Sequence, residues 1–337
     1  MFGVCDMPLT APCIGLWHEN GLKPVVIVNL AANQGNAARR WGIIEPELQC
    51  MLPEDTEYIL YHPPYLLGES LKHHVREKGC NCVISAGGDG TINLILNLLM
   101  NLQGVETQKI HLGGIGLGSS NDFLKPYKTA VKDIPCRIRP EKSLPADIGK
   151  VRFIGSTGKE VTRYFIVNAS LGVTAEANRI FNRGDQPIGF LKPRILDLAI
   201  LYTAVKTILT YRNIPVALRI ESVAKGNIEE VRVLLSNLAV LKNPHVSGRF
   251  VYDQDISLGD AQLGLNYCSG MSRWQLLHVL WDLSKGRFSG KPGRHSMKVR
   301  KVKVAPDALI PLEMDGEVVE ANDIQFSLAE NRIYLLG

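Results

Sequence analysis

A run of nine residues at 24–32, PVVIVNLAA, is apolar and β-branched, without the alternation of a half-exposed strand. Such a strand has to be covered on both faces, which happens when helices pack on the two sides of a parallel sheet. The same texture recurs downstream. EYILY at 57–61 reads as a strand, 68–78 as a helix, and NCVISA at 81–86 as a strand that runs into GGDGT. Strands alternating with helices predict a doubly wound α/β domain. INLILNLLMNL at 92–102 is apolar around most of its circumference and is expected as a helix buried on the sheet. Another strand, KIHLGGIGLG, follows at 109–118.

From about residue 146 the pattern changes to short, often alternating segments: VRFIG, RYFIVNASLG, IPVALRIES, EEVRVLLSN, AQLGLNY, MKVRKVKV and DIQFSLA. These predict an antiparallel, β-sandwich-like domain. One helix, at 193–210, interrupts them and reads as a core helix. A chain of 337 residues is long for one core, and about 150 residues per domain suggests two. The expected division is 1–143 for the α/β part and 144–325 for the β-rich part.

The composition narrows the class. Apolar residues at 45% and charged residues at 21% exclude a disordered chain. The excess of 38 Lys+Arg over 33 Asp+Glu, a net +5, is too mild to point to nucleic acid. Seven cysteines without a C-x-x-C pair, and histidines without an H-E-x-x-H spacing, give no zinc or redox motif. The start, MFGVCDMPLTAPCIGLW, lacks the basic region of a signal peptide, and no run reaches the ~18 apolar residues of a membrane span. A cytoplasmic protein is expected, one that at most touches a membrane from its inner face.

The chemistry concentrates in glycine-rich loops. In Gly87-Gly88-Asp89-Gly90-Thr91, between an apolar strand and an apolar helix, the glycines let the backbone approach a ligand. The N–H groups of the following helix favour phosphate, and Asp89 can meet a phosphate-bound metal or orient an acceptor. A second loop, Gly116-Leu117-Gly118-Ser119-Ser120-Asn121-Asp122-Phe123, also follows a strand. Both loops are expected on the carboxyl edge of one sheet, sharing a nucleotide. Taken alone, Asn121-Asp122 also reads as a helix cap or Asx-turn. Far downstream, Met314-Asp315-Gly316-Glu317 by itself reads as a hairpin turn.

Together, GGDGT, a G-x-G-S-S-N-D-F loop about 30 residues later and a late DGE resemble the diacylglycerol kinase catalytic family, which includes bacterial lipid kinases and sphingosine kinases. The resemblance implies that Asn29, alone in its Asn-Leu-Ala-Ala-Asn stretch, keeps the family's first nucleotide contact. It also implies a nucleotide site at Gly87, Gly88, Gly90, Thr91, Gly118, Ser119, Ser120, Asn121 and Asp122. Asp315 becomes the candidate base, with Asp89 and Glu317 as its catalytic companions. Leu94 stands where bacterial members place a glutamate. Asp147, Asn168, Ser170, Gly172 and Asn237 match positions of the second domain. Of the Asp-Asp-Gly turn that holds a structural magnesium in bacterial members, only Asp260 is kept, making it the candidate metal ligand. The run at 326–337 is expected to return to the first domain.

The implied activity is transfer of the γ-phosphate of ATP, with Mg2+, to the hydroxyl of a diacylglycerol-like or sphingoid lipid. The alternatives are an NAD kinase, since GGDGT occurs there too, and a catalytically impaired binding homologue. The partners expected are a lipid substrate and an anionic membrane surface. For the latter, KGRFSGKPGRHSMKVRKVK at 285–303 holds eight Lys or Arg and no acid, with Phe288 and Met297 interleaved; it reads equally as a solvated strand face and loop, and the helix at 195–209 offers, besides a core helix, the lining of a lipid entrance.

Overall fold

The computed structural model describes residues 13–61, 64–183, 196–224, 226 and 228–337. The extreme amino terminus with Cys5, and the expected helical residues 193–195, lie outside them. The first body is built on β1 (Pro24–Asn29), β2 (Glu57–Tyr61), β3 (Cys82–Gly87) and β4 (His111–Gly116), all parallel, in the order β2-β1-β3-β4. The doubly apolar runs do what their composition dictates. Val25 and Ile27 pack against α3 (Pro64–Arg76) and α4 (Asp89–Met100) through Leu67, Leu71, Ile92 and Leu96. Val26 and Val28 face α1 (Cys13–Glu19) and α2 (Asn36–Met51) through Trp17, Trp41, Ile44 and Leu48. Each such side chain contributes about 1.5–3 kcal/mol on burial. A small hairpin, β5 (Ala130–Val131) and β6 (Ile134–Arg137), adds to the edge of β4 in the antiparallel sense, so the sheet is mixed.

The chain leaves this sheet after β7 (Leu144–Ala146). The second body pairs β8 (Gly149–Gly155), β9 (Glu160–Phe165), β10 (Asn168–Gly172), β11 (Ile214–Ser222) and β12 (Ile228–Leu241). Beyond a small hairpin of β13 (His245–Val246) and β14 (Phe250–Val251) follow β15 (Leu263–Ser269), β16 (Arg294–Pro306), β17 (Ile310–Met314) and β18 (Glu317–Leu328). Among the described residues this sheet has nine strands in the order β11-β16-β15-β12-β10-β17-β18-β8-β9, and every pairing is antiparallel. The long strands β12 and β16 each serve two sets of partners, so that β11 also pairs β12 and β16 also pairs β18. The sheet thus folds over a core that includes Phe165, Leu171, Leu238, Leu265, Val302 and Phe326. Among the described residues three helices, α5 (Val173–Arg183), α6 (Leu196–Thr210) and α7 (Arg273–Leu283), flank it.

The last strand, β19 (Ile333–Leu335), returns to the first sheet, parallel to β4 and antiparallel to β7. The crossings lie three residues later than the expected boundaries, because β7 is pinned to β19 and β18 runs on to Leu328. Both crossings are tied together by Arg332, whose Nε lies 2.7 Å from the Asp147 carboxylate.

Candidate active site

At the carboxyl ends of β1, β3 and β4 a cleft of about 620 Å3 opens between the two bodies. The first body contributes Asn29, Gly88, Asp89, Gly90, Thr91, Gly118, Ser119 and Ser120; the second contributes Arg163, Asp315, Gly316 and Glu317. Most of the expected site residues therefore share one space. Gly87 is the last residue of β3, and Gly88 caps α4 without a side chain. The expected loop is a single-residue turn, with Asp89 already in the first turn of the helix. The Thr91 and Ile92 N–H groups both bond to the Gly88 carbonyl (2.9 and 3.2 Å), so the N–H groups of Asp89 and Gly90, ahead of the first helical bond, are the ones that with the helix dipole suit an anion. The two glycine loops touch: a Cβ on Gly118 would sit 2.3 Å from the Gly88 Cα. Asn29 donates from Nδ2 to the Thr91 hydroxyl (2.9 Å) and accepts from the Ala31 N–H (3.1 Å), locking the end of β1 to α4.

The acids are held more tightly than their motifs suggest. Asp89 accepts from the backbone N–H groups of Asp122 and Phe123, both at 3.0 Å, so it binds one glycine loop to the other. Burial, with the Asp122 carboxylate nearby, pushes its pKa up, and the charge of Asp315 adds to the rise. Asp315 is buried in the turn between β17 and β18. One oxygen accepts from Asn93 Nδ2 (3.0 Å) and the Ile166 N–H (2.9 Å), the other from the Val167 (2.9 Å) and Asn168 (3.0 Å) N–H groups. A carboxylate offers about four acceptor positions, and all are filled. Burial raises its pKa while these four donors pull the other way. Glu317 is exposed and leans over the start of α4, where a Cβ on Gly90 would lie 2.9 Å from its Oε1.

Asn121 and Asp122 do not line the cleft. Asn121, at a positive φ of 51°, donates to the Gly118 carbonyl at 3.1 Å and braces the loop from beneath. The Asp122 carboxylate accepts from Lys125 Nζ at 2.7 Å and from the Gly248 N–H of the second body at 3.1 Å. Asn243 donates to the carbonyls of Asp122 and Lys125. Asp122 thus takes part in the clamp between the bodies, because a short acid next to a turn finds backbone donors close by, while Asn121 bonds within its own loop.

The sequence match now carries weight, since its span contains both glycine loops. Residues 23–151 match the diacylglycerol kinase catalytic domain. The matched stretch ends in β8, well before Asp315. Among curated proteins none matches the sequence. A crystal structure of a Bacillus anthracis str. Sterne protein, provisionally named a diacylglycerol kinase, superposes with a TM-score of 0.68 at 18% identity, covering 93% of this chain and 96% of that one. A second, of a diacylglycerol kinase from the same organism, gives 0.62 at 15% with the same coverage. These likenesses establish the fold: an α/β domain followed by an antiparallel β-rich one. A yeast NADH kinase crystal structure reaches a TM-score of only 0.46 at 10% identity, covering 94% of this chain and 83% of that one, too remote to carry the NAD kinase alternative.

The expected metal at Asp260 requires correction. The buried Lys242 ammonium stands among Asp260 Oδ1 (3.0 Å), the Ser257 carbonyl (3.1 Å) and the Gln262 carbonyl (2.8 Å), with Asp147 at 3.6 Å. A fixed cation already neutralises these oxygens, so the donor set does not fit a resident Mg2+. Among the described residues no cluster of three His, Cys, Asp or Glu could hold a metal.

Phe288 is also displaced from its expected role. It is buried against Tyr252, under the Arg294 guanidinium, and cannot reach a membrane. Of the second-domain matches, Asn237 accepts from the Thr174 N–H at the start of α5, while Asn168 and Ser170 donate to Glu313 at 3.0 and 2.5 Å. Glu313, which sequence reasoning missed, is pushed up to about 8 by burial. The available signal was a lone acid inside the apolar strand IPLEM, two residues before the DGE.

An apolar cavity of about 110 Å3 adjoins the cleft, walled by α5, α6 and α7 through Val173, Ala204, Ile208, Leu276 and Val279. It shares Ser120, Asn178 and Phe181 with the cleft.

Proposed function

We propose that this protein is a kinase that uses ATP and Mg2+ to phosphorylate the hydroxyl of a lipid, diacylglycerol-like or a sphingoid base. The observation that carries the reading is the junction of two spaces. A polar cleft lined by the glycine loops and the motif acids shares three residues with an apolar cavity. Phosphoryl transfer needs a cradle for the phosphates, an acceptor held in line and a carboxylate near the attacking oxygen. In this reading Gly88, Gly90, Thr91, Gly118, Ser119 and Ser120 bind nucleotide against the amino end of α4, and Arg163 faces its charge. The body up to residue 146, with 329–337, serves the nucleotide, and 147–328 serve the lipid.

The cleft carboxylates fit a phosphate-bound Mg2+, which Asp89 and Glu317 would hold, and the ion would neutralise charge on the transferring phosphoryl group. Asp315 accepts the proton of the lipid hydroxyl late in the reaction, since an alcohol is a poor acid. Three of its four donors are backbone groups, so the Asn93 amide is the one that gives way. The cavity is smaller than the roughly 300–1,000 Å3 of usual ligand pockets, so the acceptor enters as the helices around it part.

The test is incubation with γ-labelled ATP, Mg2+ and a total lipid extract, with NAD as a parallel acceptor. Label in a lipid that depends on this protein supports the reading. Label in NAD, or in neither acceptor although the protein is folded by circular dichroism, overturns it.

A further inference from the structure

We infer that the outer face of α7, with the loop that follows it, is the surface by which this protein rests on an anionic lipid bilayer. The helix has two contrasting faces. Leu276, Val279 and Leu283 point inward, to the apolar cavity. Outward stand Trp274 and Trp281, 76% and 63% exposed. Seven residues is about two turns, so the two indoles lie one above the other on a single stripe. The remaining two tryptophans, Trp17 and Trp41, are 1% and 6% exposed, as is usual for so large an apolar ring.

Neighbouring α6 contributes exposed Leu201 and Leu209. The segment's own free charge is basic, although the Asp253 carboxylate caps its loop by accepting from the Ser289 N–H at 3.0 Å. Between residues 273 and 294 the only acid is Asp282, and its carboxylate is taken up by Lys291 at 2.6 Å and Arg294 at 2.9 Å. Arg273, Lys285 and Arg287 stay exposed, and the Lys285 ammonium lies 5.2 Å over the Trp281 ring.

Indole rings with cations beside them match the headgroup zone of a bilayer, where the ring sits among acyl chains, its N–H stays wet and basic groups meet anionic lipid. The inner face of the same helix walls the cavity read above as the acceptor's site. A lipid leaving the bilayer at α6 and α7 would therefore have only the thickness of that wall to cross. The inference rests on that reading for its purpose, but its test uses vesicles without acceptor or ATP, so failure of the kinase reaction and failure of docking are separate outcomes.

The experiment is sedimentation with phosphatidylcholine vesicles, with and without about a third of phosphatidylserine, together with tryptophan emission. Because Trp17 and Trp41 are buried, a blue shift on vesicles, and quenching by brominated lipid, report the two exposed rings. Binding is expected to need phosphatidylserine and to weaken with salt. Trp274→Ala with Trp281→Ala should lower it about tenfold or more, and Lys285→Glu with Arg287→Glu should abolish its dependence on phosphatidylserine. Both pairs are exposed, and unchanged circular dichroism confirms the fold. Absence of binding by the unaltered protein, or binding unchanged by the double tryptophan variant, overturns the proposal. So does a concentration-dependent dimer that the same variant abolishes without any vesicle binding, which would make the stripe a contact between copies of the chain.

Discussion

Replacing Asp315 by Asn removes one oxygen and the charge while keeping the shape, and the four hydrogen bonds to that carboxylate set the size of the effect. Its remaining oxygen can serve either the Val167 and Asn168 N–H groups or Ile166 and Asn93, and its new amide must face the other two donors. The cheaper choice keeps Val167 and Asn168. Asn93 cannot simply flip to help, since its amide also donates to the Tyr164 carbonyl and its oxygen accepts from Asn97. At least the Ile166 N–H is then left buried without an acceptor, at about 1–3 kcal/mol, and charge-assisted bonds worth about 1.5–3 kcal/mol are lost. A total of about 3–5 kcal/mol, at roughly 2–4 °C for each, lowers the melting temperature by on the order of 10 °C. Calorimetry on both forms, beside the lipid-kinase assay well below the transition, reads stability and chemistry separately. If Asp315 is both strut and base, the variant melts earlier and is inactive while still folded. An inactive variant that melts within a degree of the original would refute the strut, and a variant destabilised as expected but active within several-fold would refute the base.

Three further outcomes follow from the same geometry. Lys242→Met removes the buried ammonium from between the Asp260 and Asp147 carboxylates, of which Asp147 keeps Arg332, and should cost about 3–5 kcal/mol, read as a lowered denaturation midpoint, whereas a chelator should leave the unaltered protein's midpoint in place. Lys242→Ala should regain part of that loss with a divalent ion, and no ion-dependent gain would refute the view of Lys242 as a built-in cation. Glu313 has a folded pKa near 8 against 4.5 for a free carboxyl, so the folded state binds its proton more tightly. Stability should therefore fall as pH rises from about 4.5 to about 8, by at most about 1.4 kcal/mol per unit from this group, and Glu313→Gln should flatten that slope in urea titrations. Gly118→Ala must push the two glycine loops apart, a strain of about 1–3 kcal/mol, and should weaken adenine-nucleotide binding in calorimetry.

What was legible in the sequence depended on how far each residue's partners lie along the chain. β1 and β3 could be read because burial on both faces is written into consecutive residues, Val25 to Val28 and Cys82 to Ala86. The closure of the second sheet could not, because β12 looks like one alternating strand until its two ends meet different partners. The GGDGT loop announces itself within five residues, but the bonds of Asp89 reach 33 and 34 positions away and those of Asp315 reach 147 to 222. Lys242, directly after the buried run Leu238 to Leu241, and the tryptophans seven apart on α7 left local traces that only the fold could interpret.

Three acids picked out by the motifs also hold the cleft together, Asp89 within the first body and Asp122 and Asp315 between the two bodies. Asp89 grips the 122–123 turn, Asp122 grips Gly248 across the gap, and Asp315 grips Asn93 of α4 from the far side. A phosphate arriving at the amino end of α4 therefore lands on a helix already tied to both walls of the cleft. Its charge acts on a cluster in which burial raises the pKa of Asp89, Glu313 and Asp315 alike. Loss of activity on removing one of these carboxylates would not by itself assign that carboxylate to the chemistry, because the same change loosens the alignment of donor and acceptor. The discriminating variants are those that break the joint and spare the acid: Asn243→Ala removes the amide that holds the Asp122 and Lys125 carbonyls across the gap and leaves every cleft carboxylate in place. If the clamp aligns the two bodies, this change lowers turnover with lipid while nucleotide affinity in calorimetry stays within a few-fold; unchanged turnover would mean that closure is set elsewhere.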